Sequence, residues 1–526
     1  MTRHDVVIVG SGMTGGTVAR ALTARGISVL VLEAGPALDL ARHRGAKHAC
    51  ELPYRGFDRP GRFPHVTQAN EFNASLWADE QLHPYTYPPG QPYYWVRVRL
   101  LGGKSLLWGR WSLRLSDYEF RGRDHDGYGD NWPIRYADLE PYYDRADAWL
   151  RVSAKREGLP QLPDSRHLED SSTDSLVVSR FREAAAAMDI TVTKPRRAIG
   201  AVASSINLML APAATTGRLT LVPNAVVREV TVDSNTGLVS GVSFVDRVTR
   251  REYHARARVV VLAASCLEST RLLLNSTSRQ YPNGLANSGG VVGHYLHDQF
   301  YVKGVAQCVV PELRGKLLTG GMTGGGGYVV RFRNLKDRDK RFLRGYAYDF
   351  GTRSTPDAKL FPLYGEALKD ALAAHAGTGF SMTAMGEVLP RFENHVRISK
   401  DKKDAWGIPV LHIQQTYGDN ERAMARDAME TAEEMCRQAG FEILARHDRM
   451  VPPGESIHEL GTCRMGAEAK TSVVNQYCQA HDVKNLFVVD GSVFVSAGAQ
   501  NPTLTMVALA LRASDYLAEQ MRQGAL

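Results

Sequence analysis

Residues 5–33 leave this chain little freedom of fold. Asp5-Val6-Val7-Ile8-Val9 has the composition of a short buried strand, and Gly10-Ser11-Gly12-Met13-Thr14-Gly15 follows at once. A helix is expected over Thr17–Ala24, ended by Gly26, and Ile27–Leu32 reads as a second strand closed by Glu33. Strand, glycine turn, helix, strand and acid together make a dinucleotide cradle. Gly10 permits the tight turn, Gly12 lets backbone approach a pyrophosphate, and Gly15 lets helix and strand pack closely. The helix start behind Ser11, Met13 and Thr14 faces phosphate charge. Glu33, 23 residues after Gly10, is placed to accept from ribose hydroxyls. The motif does not separate NAD from FAD, and its bland alternative is a structural glycine turn.

The chain's 526 residues exceed one ordinary core and imply two or three interleaved domains. The net charge of +8 is spread without a run of five like charges, which argues against nucleic acid as a partner. Six cysteines form no CxxC and fit neither zinc nor an iron–sulfur cluster. Their sparse scatter suits a reducing compartment. No apolar run approaches the length of a membrane span, and the chain enters its first strand without a signal-like stretch, so a cytoplasmic location is expected.

Residues 35–94 are rich in Pro, His and aromatics and read as a cover over the ligand or an assembly arm, with a surface excursion bearing its own small core as the alternative. In Arg97 to Arg110, Gly102-Gly103 and Ser105 sit between apolar flanks, as for backbone pressed on a flat ligand, with Trp108 as a wall. Helices are expected near Asp138 and over Leu176–Ala187. Leu219–Pro223, Val226–Val232, Gly241–Asp246 and Tyr253–Arg258 alternate like one small antiparallel sheet. Val259–Ala264 is apolar throughout, as for a central parallel strand, and Ser265 to Ser269 opens a helix. Gly320 to Gly327 lacks a phosphate-loop lysine and reads as a hairpin or gate. Arg391–Ile398 and Val410–Tyr417 read as strands and Asn420–Ala439 as a helix. Leu504, Val507, Ala508 and Leu511 share one face of a last helix.

The last third holds three further pieces: His458-Glu459-Leu460-Gly461-Thr462-Cys463-Arg464-Met465-Gly466, Asn485 to Ser492 with Asp490-Gly491, and Gly498-Ala499-Gln500-Asn501-Pro502-Thr503-Leu504-Thr505. His294 and His297 lie three apart but have no third ligand at suitable spacing, so no metal is expected.

Together with the glycine turn, the Gly102-Gly103 segment, Asn283 to Asp298 and Pro390 to Ile398, these pieces resemble the glucose-methanol-choline (GMC) family of FAD-dependent alcohol oxidoreductases. Within it they are similar to the branch of pyranose oxidases and bacterial glycoside 3-oxidases. The resemblance implies an α/β (α+β) fold: a Rossmann-like FAD-binding domain with a mixed central sheet, and a substrate-binding domain on an antiparallel sheet with helices. The FAD-binding domain would take 1–115, 195–300 and 450–526, the substrate domain 116–194 and 301–449, with 36–95 a lid-like insertion. His458 matches the family's catalytic histidine and Asn501 its partner. Arg99, Gly102, Gly103, Ser105, Leu106, Leu107, Trp108, Val227, Ala264, Asp490, Gly491, Asn501 and Thr503 would meet FAD beside the glycine turn and Glu33. Leu107 stands where pyranose oxidases often carry the histidine that binds FAD covalently, so FAD would be non-covalent. No cysteine occurs in residues 201–216, where membrane-linked relatives carry a cluster.

The implied reaction oxidises a secondary alcohol of a sugar or glycoside, at pyranose C3 or C2, to the ketone. Hydride goes to flavin N5, the proton to His458, and the electrons to O2 to give H2O2. The alternatives are a glycoside 3-dehydrogenase subunit serving a cytochrome or quinone, an oxidase of a non-sugar alcohol, a non-redox use of the fold, and an NAD-dependent dehydrogenase. The last leaves Asp490 and Asn501 unexplained. A homo-oligomer or a small accessory subunit is compatible with the sequence.

Overall fold

The structure, a computed structural model, describes residues 4–38, 63–166, 173–200, 203–314, 325–336, 338–339, 341–353, 358–375 and 379–526. Two sheets organise it. In the first, Leu219–Val222, Val29–Leu32, His4–Val9 and Glu252–Leu262 lie side by side in parallel, with Leu486–Val488 parallel to Glu252–Leu262 as well. The first half of Glu252–Leu262 pairs antiparallel with Val239–Asp246, which pairs antiparallel with Ala225–Val232. One long strand thus belongs to both parts of a mixed sheet. Val6, Val7, Ile8 and Val259 to Leu262 have no exposed surface, which is why those runs are apolar without alternation.

The expected small antiparallel sheet therefore needs correcting. Leu219–Val222 is the parallel edge strand beside Val29–Leu32, and its alternation reports edge exposure. Tyr253–Arg258 and Val259–Leu262 are a single strand. The first helix runs Met13–Thr23, starting directly on the glycine turn, and packs against the last helix, Thr503–Arg522. Arg25 and Asp515 join their neighbourhoods at 2.5 Å.

The second sheet is antiparallel throughout, in the order Glu442–Ala445, Gln299–Val309, Gly379–Glu387, Tyr346–Arg353, Gly326–Val329, Val192–Thr193. Alternation divides its faces. Phe300, Val302, Tyr348, Phe350, Met382 and Ala384 join one core with Met424, Ala428 and Met435 of the helix Asp419–Gln438. Tyr301, Asp349 and Met385, each one step out of phase, face the cavity described below. The sheet is a wall with an apolar back and a mixed front. Val192–Thr193 and Glu442–Ala445 are strands that the sequence pattern did not reveal.

Residues 39–62 and Gly320 to Gly324 lie outside the described residues, so the hairpin or gate expected at the glycine run is described only from Gly325 on; Gly326–Val329 is a sheet strand. Of the segment after residue 62, Phe63, Val66, Ala69 and Val96 form a small core of their own. Trp77 of this segment, and Trp95 and Val96 just after it, also line the cavity. Among the described residues no helix is long and apolar enough to cross a membrane.

Candidate active site

A cavity of about 460 Å³ runs from the glycine turn to the front of the second sheet. At one end, Gly10 and Gly12 meet Met13 and Thr14 at the start of the first helix. A Cβ on Gly15 would sit 2.0 Å from the Gly10 carbonyl oxygen, so the turn closes only with glycine there. A Cβ on Gly12 would meet nothing within 4 Å; that space is open cavity at a helix N-terminus with no side-chain cap. Glu33 accepts from Ser11 N (3.1 Å), Ser11 Oγ (2.6 Å) and Gly35 N (2.8 Å). A carboxylate has about four acceptor sites, so one remains for the cavity that Glu33 lines. Burial raises its pKa against these bonds and against Arg99.

Beyond Glu33 the wall is ionic. Arg99 contacts Glu268 at 2.5 Å, Arg271 contacts Asp404 at 2.7 Å, and the Arg97 guanidinium lies 4.1 Å over the Trp95 ring. Burial would raise the Glu268 carboxyl, but Arg99, Arg271 and Arg97 outweigh it and hold it at about 2. Arg97, Glu268 and Arg271 were not singled out in the sequence: Arg97 and Arg99 meet Glu268, and Arg271 meets Asp404, only across segments far apart along the chain.

In the middle, Gly103, Ser105, Leu107, Trp108, Val227, Ala264, Asp490 and Gly491 line the cavity. Asp490 is buried, accepts from Ser269 Oγ and from Ser492 N (3.0 Å) and Oγ (2.6 Å), and has its pKa raised by burial. Thr503 also lines this region, at the start of a helix whose first turn carries no side-chain cap and no acid. Ser11, Gly15, Gly102 and Leu106 do not reach the cavity. Ser11 bonds Glu33 and Gly102, and Gly15 packs on Gly10.

At the far end His458 Nε2 lies 3.4 Å from Asn501 Nδ2. On the other side of the ring, Nδ1 lies 2.8 Å from Gln299 Oε1 and 3.3 Å from the Tyr301 hydroxyl. Burial, and then the positive charge of Lys104, lowers the His458 pKa to about 3, so the ring is neutral at ordinary pH. Lys104 is itself paired with Glu459 at 2.5 Å. Asn501 Oδ1 is a buried acceptor with no hydrogen-bond partner among the described residues.

The turn before His458 is held from below. Asp298 accepts from Gly454 N (2.8 Å), Gln415 Nε2 (2.8 Å) and Ser456 Oγ (3.2 Å), while burial pushes its carboxyl up to about 7. Ile457 takes φ +66, a costly conformation for a β-branched residue, next to the histidine. Asp349, whose carboxyl burial raises to about 6, faces the same end of the cavity with Trp111. Gln299, Tyr301 and Asp349 escaped the sequence reading. The available signal was that Gln299 and Tyr301, two apart on a strand, must share a face. His294 and His297 serve other contacts: His294 stacks on Phe392, and His297 Nδ1 donates to the Tyr295 carbonyl.

The cavity's residues suit a long flavin dinucleotide: an open glycine at a helix N-terminus, a carboxylate with a spare acceptor site, and a second uncapped helix start toward the histidine. Comparison with known proteins agrees. Residues 390–510 match the GMC oxidoreductase family model and residues 8–69 an NAD(P)-binding Rossmann-like domain. The chain is 30% identical to a 2-methyl-1,2-propanediol dehydrogenase from Mycolicibacterium austroafricanum, over 98% of this chain and 95% of that protein. The chain belongs to the GMC oxidoreductases.

Among GMC relatives, a C-glycoside 3-oxidase from Arthrobacter globiformis is 26% identical over 99% of this chain and 96% of its own. The pyridoxine 4-oxidase structure from Mesorbium loti shares the fold, with a TM-score of 0.65 at 19% identity over 98% of this chain and 99% of that one. GMC oxidoreductases are FAD-binding flavoproteins that act on CH–OH groups, so FAD is the cofactor here and alcohol oxidation the class of reaction.

Proposed function

We propose that this chain oxidises a secondary alcohol of a sugar or glycoside to the ketone, at C3 or C2 of a pyranose, and passes the electrons to O2 to form H2O2. The observation that supports it is the pairing of a neutral His458 with Asn501, whose buried Oδ1 has no partner among the described residues, at the end of the cavity remote from Glu33. On this reading Gly10 to Gly15 and Glu33 hold the adenosine and pyrophosphate end of FAD. Trp108, Val227, Asp490 and the helix start at Thr503 flank the remainder. Leu107 offers no nucleophile, so the attachment is non-covalent. Bound FAD supplies a hydride acceptor.

His458 Nε2 takes the hydroxyl proton as the carbon loses hydride. Asn501 orients the same hydroxyl. Lys104 disfavours a resident proton on the imidazole and so keeps the base free. Asp349, a carboxylate beside Trp111 on the sheet wall, accepts from further hydroxyls, which suits a polyol better than an apolar alcohol. We read residues 1–115, 195–300 and 450–526 as the FAD-binding part, with 116–194 and 301–449 supplying the substrate wall. Residues 36–95 serve as the cover.

A panel of monosaccharides and glycosides incubated with the purified flavoprotein in air tests this. Peroxide and a keto-sugar in equal amounts are expected. Peroxide from none of the sugars, with a keto-sugar formed only when a quinone or dye is added, would favour the second reading, a dehydrogenase. That reading draws support from the likeness to a diol dehydrogenase at 30% identity.

A further inference from the structure

The side chain of Gln299 is held at both ends. Its Nε2 donates to the carbonyl oxygens of Gly498 (2.8 Å) and Gln500 (2.9 Å), and its Oε1 lies 2.8 Å from His458 Nδ1. Gln299 has no exposed surface, so water cannot replace a lost partner there. Turning the amide over would set Oε1 against two carbonyl oxygens and the NH2 group against the ring. Hydrogen-bond accounting therefore fixes its orientation. With Oε1 toward the ring, Nδ1 carries the proton. A neutral imidazole has only one, so Nε2 is bare and its lone pair points to Asn501 and the cavity.

We propose that Gln299 is the positioning residue of this site: one amide selects the Nδ1–H tautomer of His458 and ties the loop carrying Asn501 to the same ring. The proposal rests on the function above, in which the bare Nε2 takes the alcohol's hydroxyl proton and bound FAD would supply the hydride acceptor. Other groups also face the ring. The Tyr301 hydroxyl, at 3.3 Å from Nδ1, can accept only as a longer second partner to the same N–H. Lys104, in the single helical turn Gly103–Leu106 and paired with Glu459, disfavours a second proton without choosing a nitrogen. Asp349, on Tyr346–Arg353 and separated from the Gln299 strand by Gly379–Glu387, makes no hydrogen bond to the ring. None of these is an acceptor clamped from behind, as Gln299 is. Without Gln299 both tautomers become accessible, and in the Nε2–H form no base faces the alcohol. A wrong tautomer at a catalytic histidine costs up to about 10⁴-fold in rate.

The test uses holoenzyme labelled with ¹⁵N-histidine, the His458 signals being assigned by their loss in His458→Ala. In the wild type at neutral pH, Nδ1 is expected to give a protonated, pyrrole-type signal and Nε2 a bare, pyridine-type one. In Gln299→Met, close to the original in volume, the two signals should mix or exchange. Anaerobic flavin reduction by the alcohol should slow at least ~10-fold, with KM changing less than kcat and the flavin spectrum retained. A wild-type proton on Nε2, or on both nitrogens, overturns the proposal whether or not the variant folds. So does a Gln299→Met holoenzyme with an unchanged tautomer. If the tautomers behave as expected but no alcohol reduces the flavin, the clamp stands and the function proposed above falls.

Discussion

The low pKa of His458 makes a pH prediction that an ordinary catalytic histidine would not. The perturbation is acidification of the reductive half-reaction from pH 8 to pH 5. An imidazole with the usual value of about 6.5 would be only ~3% neutral at pH 5, and a base-dependent rate would fall about 30-fold. With burial and Lys104 holding His458 at about 3, ~99% stays neutral at pH 5 and its contribution to the rate is flat. The sign also holds for stability. The unfolded chain takes up a proton below about pH 6.5 and the folded ring does not until about 3. The stabilisation from a neutral His458 is therefore complete above about 6.5 and drains away as pH falls between those values. The assay is stopped-flow bleaching of the flavin absorbance by saturating alcohol, without oxygen, across that range. An acid limb centred near about 6.5 would refute the reasoning.

Other consequences follow from single residues. Gly12→Ala should leave the fold intact, since its Cβ meets nothing, but should weaken FAD retention, read as flavin lost on gel filtration. Gly15→Ala should destabilise the apoprotein itself, because its Cβ would collide with the Gly10 carbonyl, and a fall in thermal midpoint checks this. Asp349→Asn should raise KM for a sugar severalfold more than it lowers kcat, as expected for a residue that binds hydroxyls without moving the proton. Acid denaturation should release all flavin from the protein, since Leu107 can form no bond to it.

What was legible in the sequence follows from which constraints are local. The glycine turn and Glu33 are spelled out within one βαβ unit, and Val259–Leu262 betrays a strand buried on both faces by its unbroken apolar run. The last helix shows its core stripe at Leu504, Val507, Ala508 and Leu511, all buried. Leu219–Val222 misled because an exposed parallel edge alternates just as an antiparallel strand does. Gln299, Tyr301 and Asp349 were hidden for another reason. The second sheet is covered on both faces, so apolar periodicity cannot show which side chains look into the cavity. The Arg99–Glu268 contact joins distant segments that meet only in the folded chain. His458 and Asn501 were found through family resemblance, since a histidine before Gly-Thr and an Asn-Pro helix start carry no chemistry by themselves.

The central claim is that His458 is the base that starts alcohol oxidation in this flavoprotein. The most direct measurement compares anaerobic flavin bleaching by a panel of sugars and glycosides in the wild type and in His458→Ala. The account predicts rapid bleaching by at least one sugar in the wild type and a rate at least ~10²-fold lower in the variant, with FAD still bound. Equal bleaching rates in the two proteins, or no bleaching of the wild type by any sugar, would contradict it.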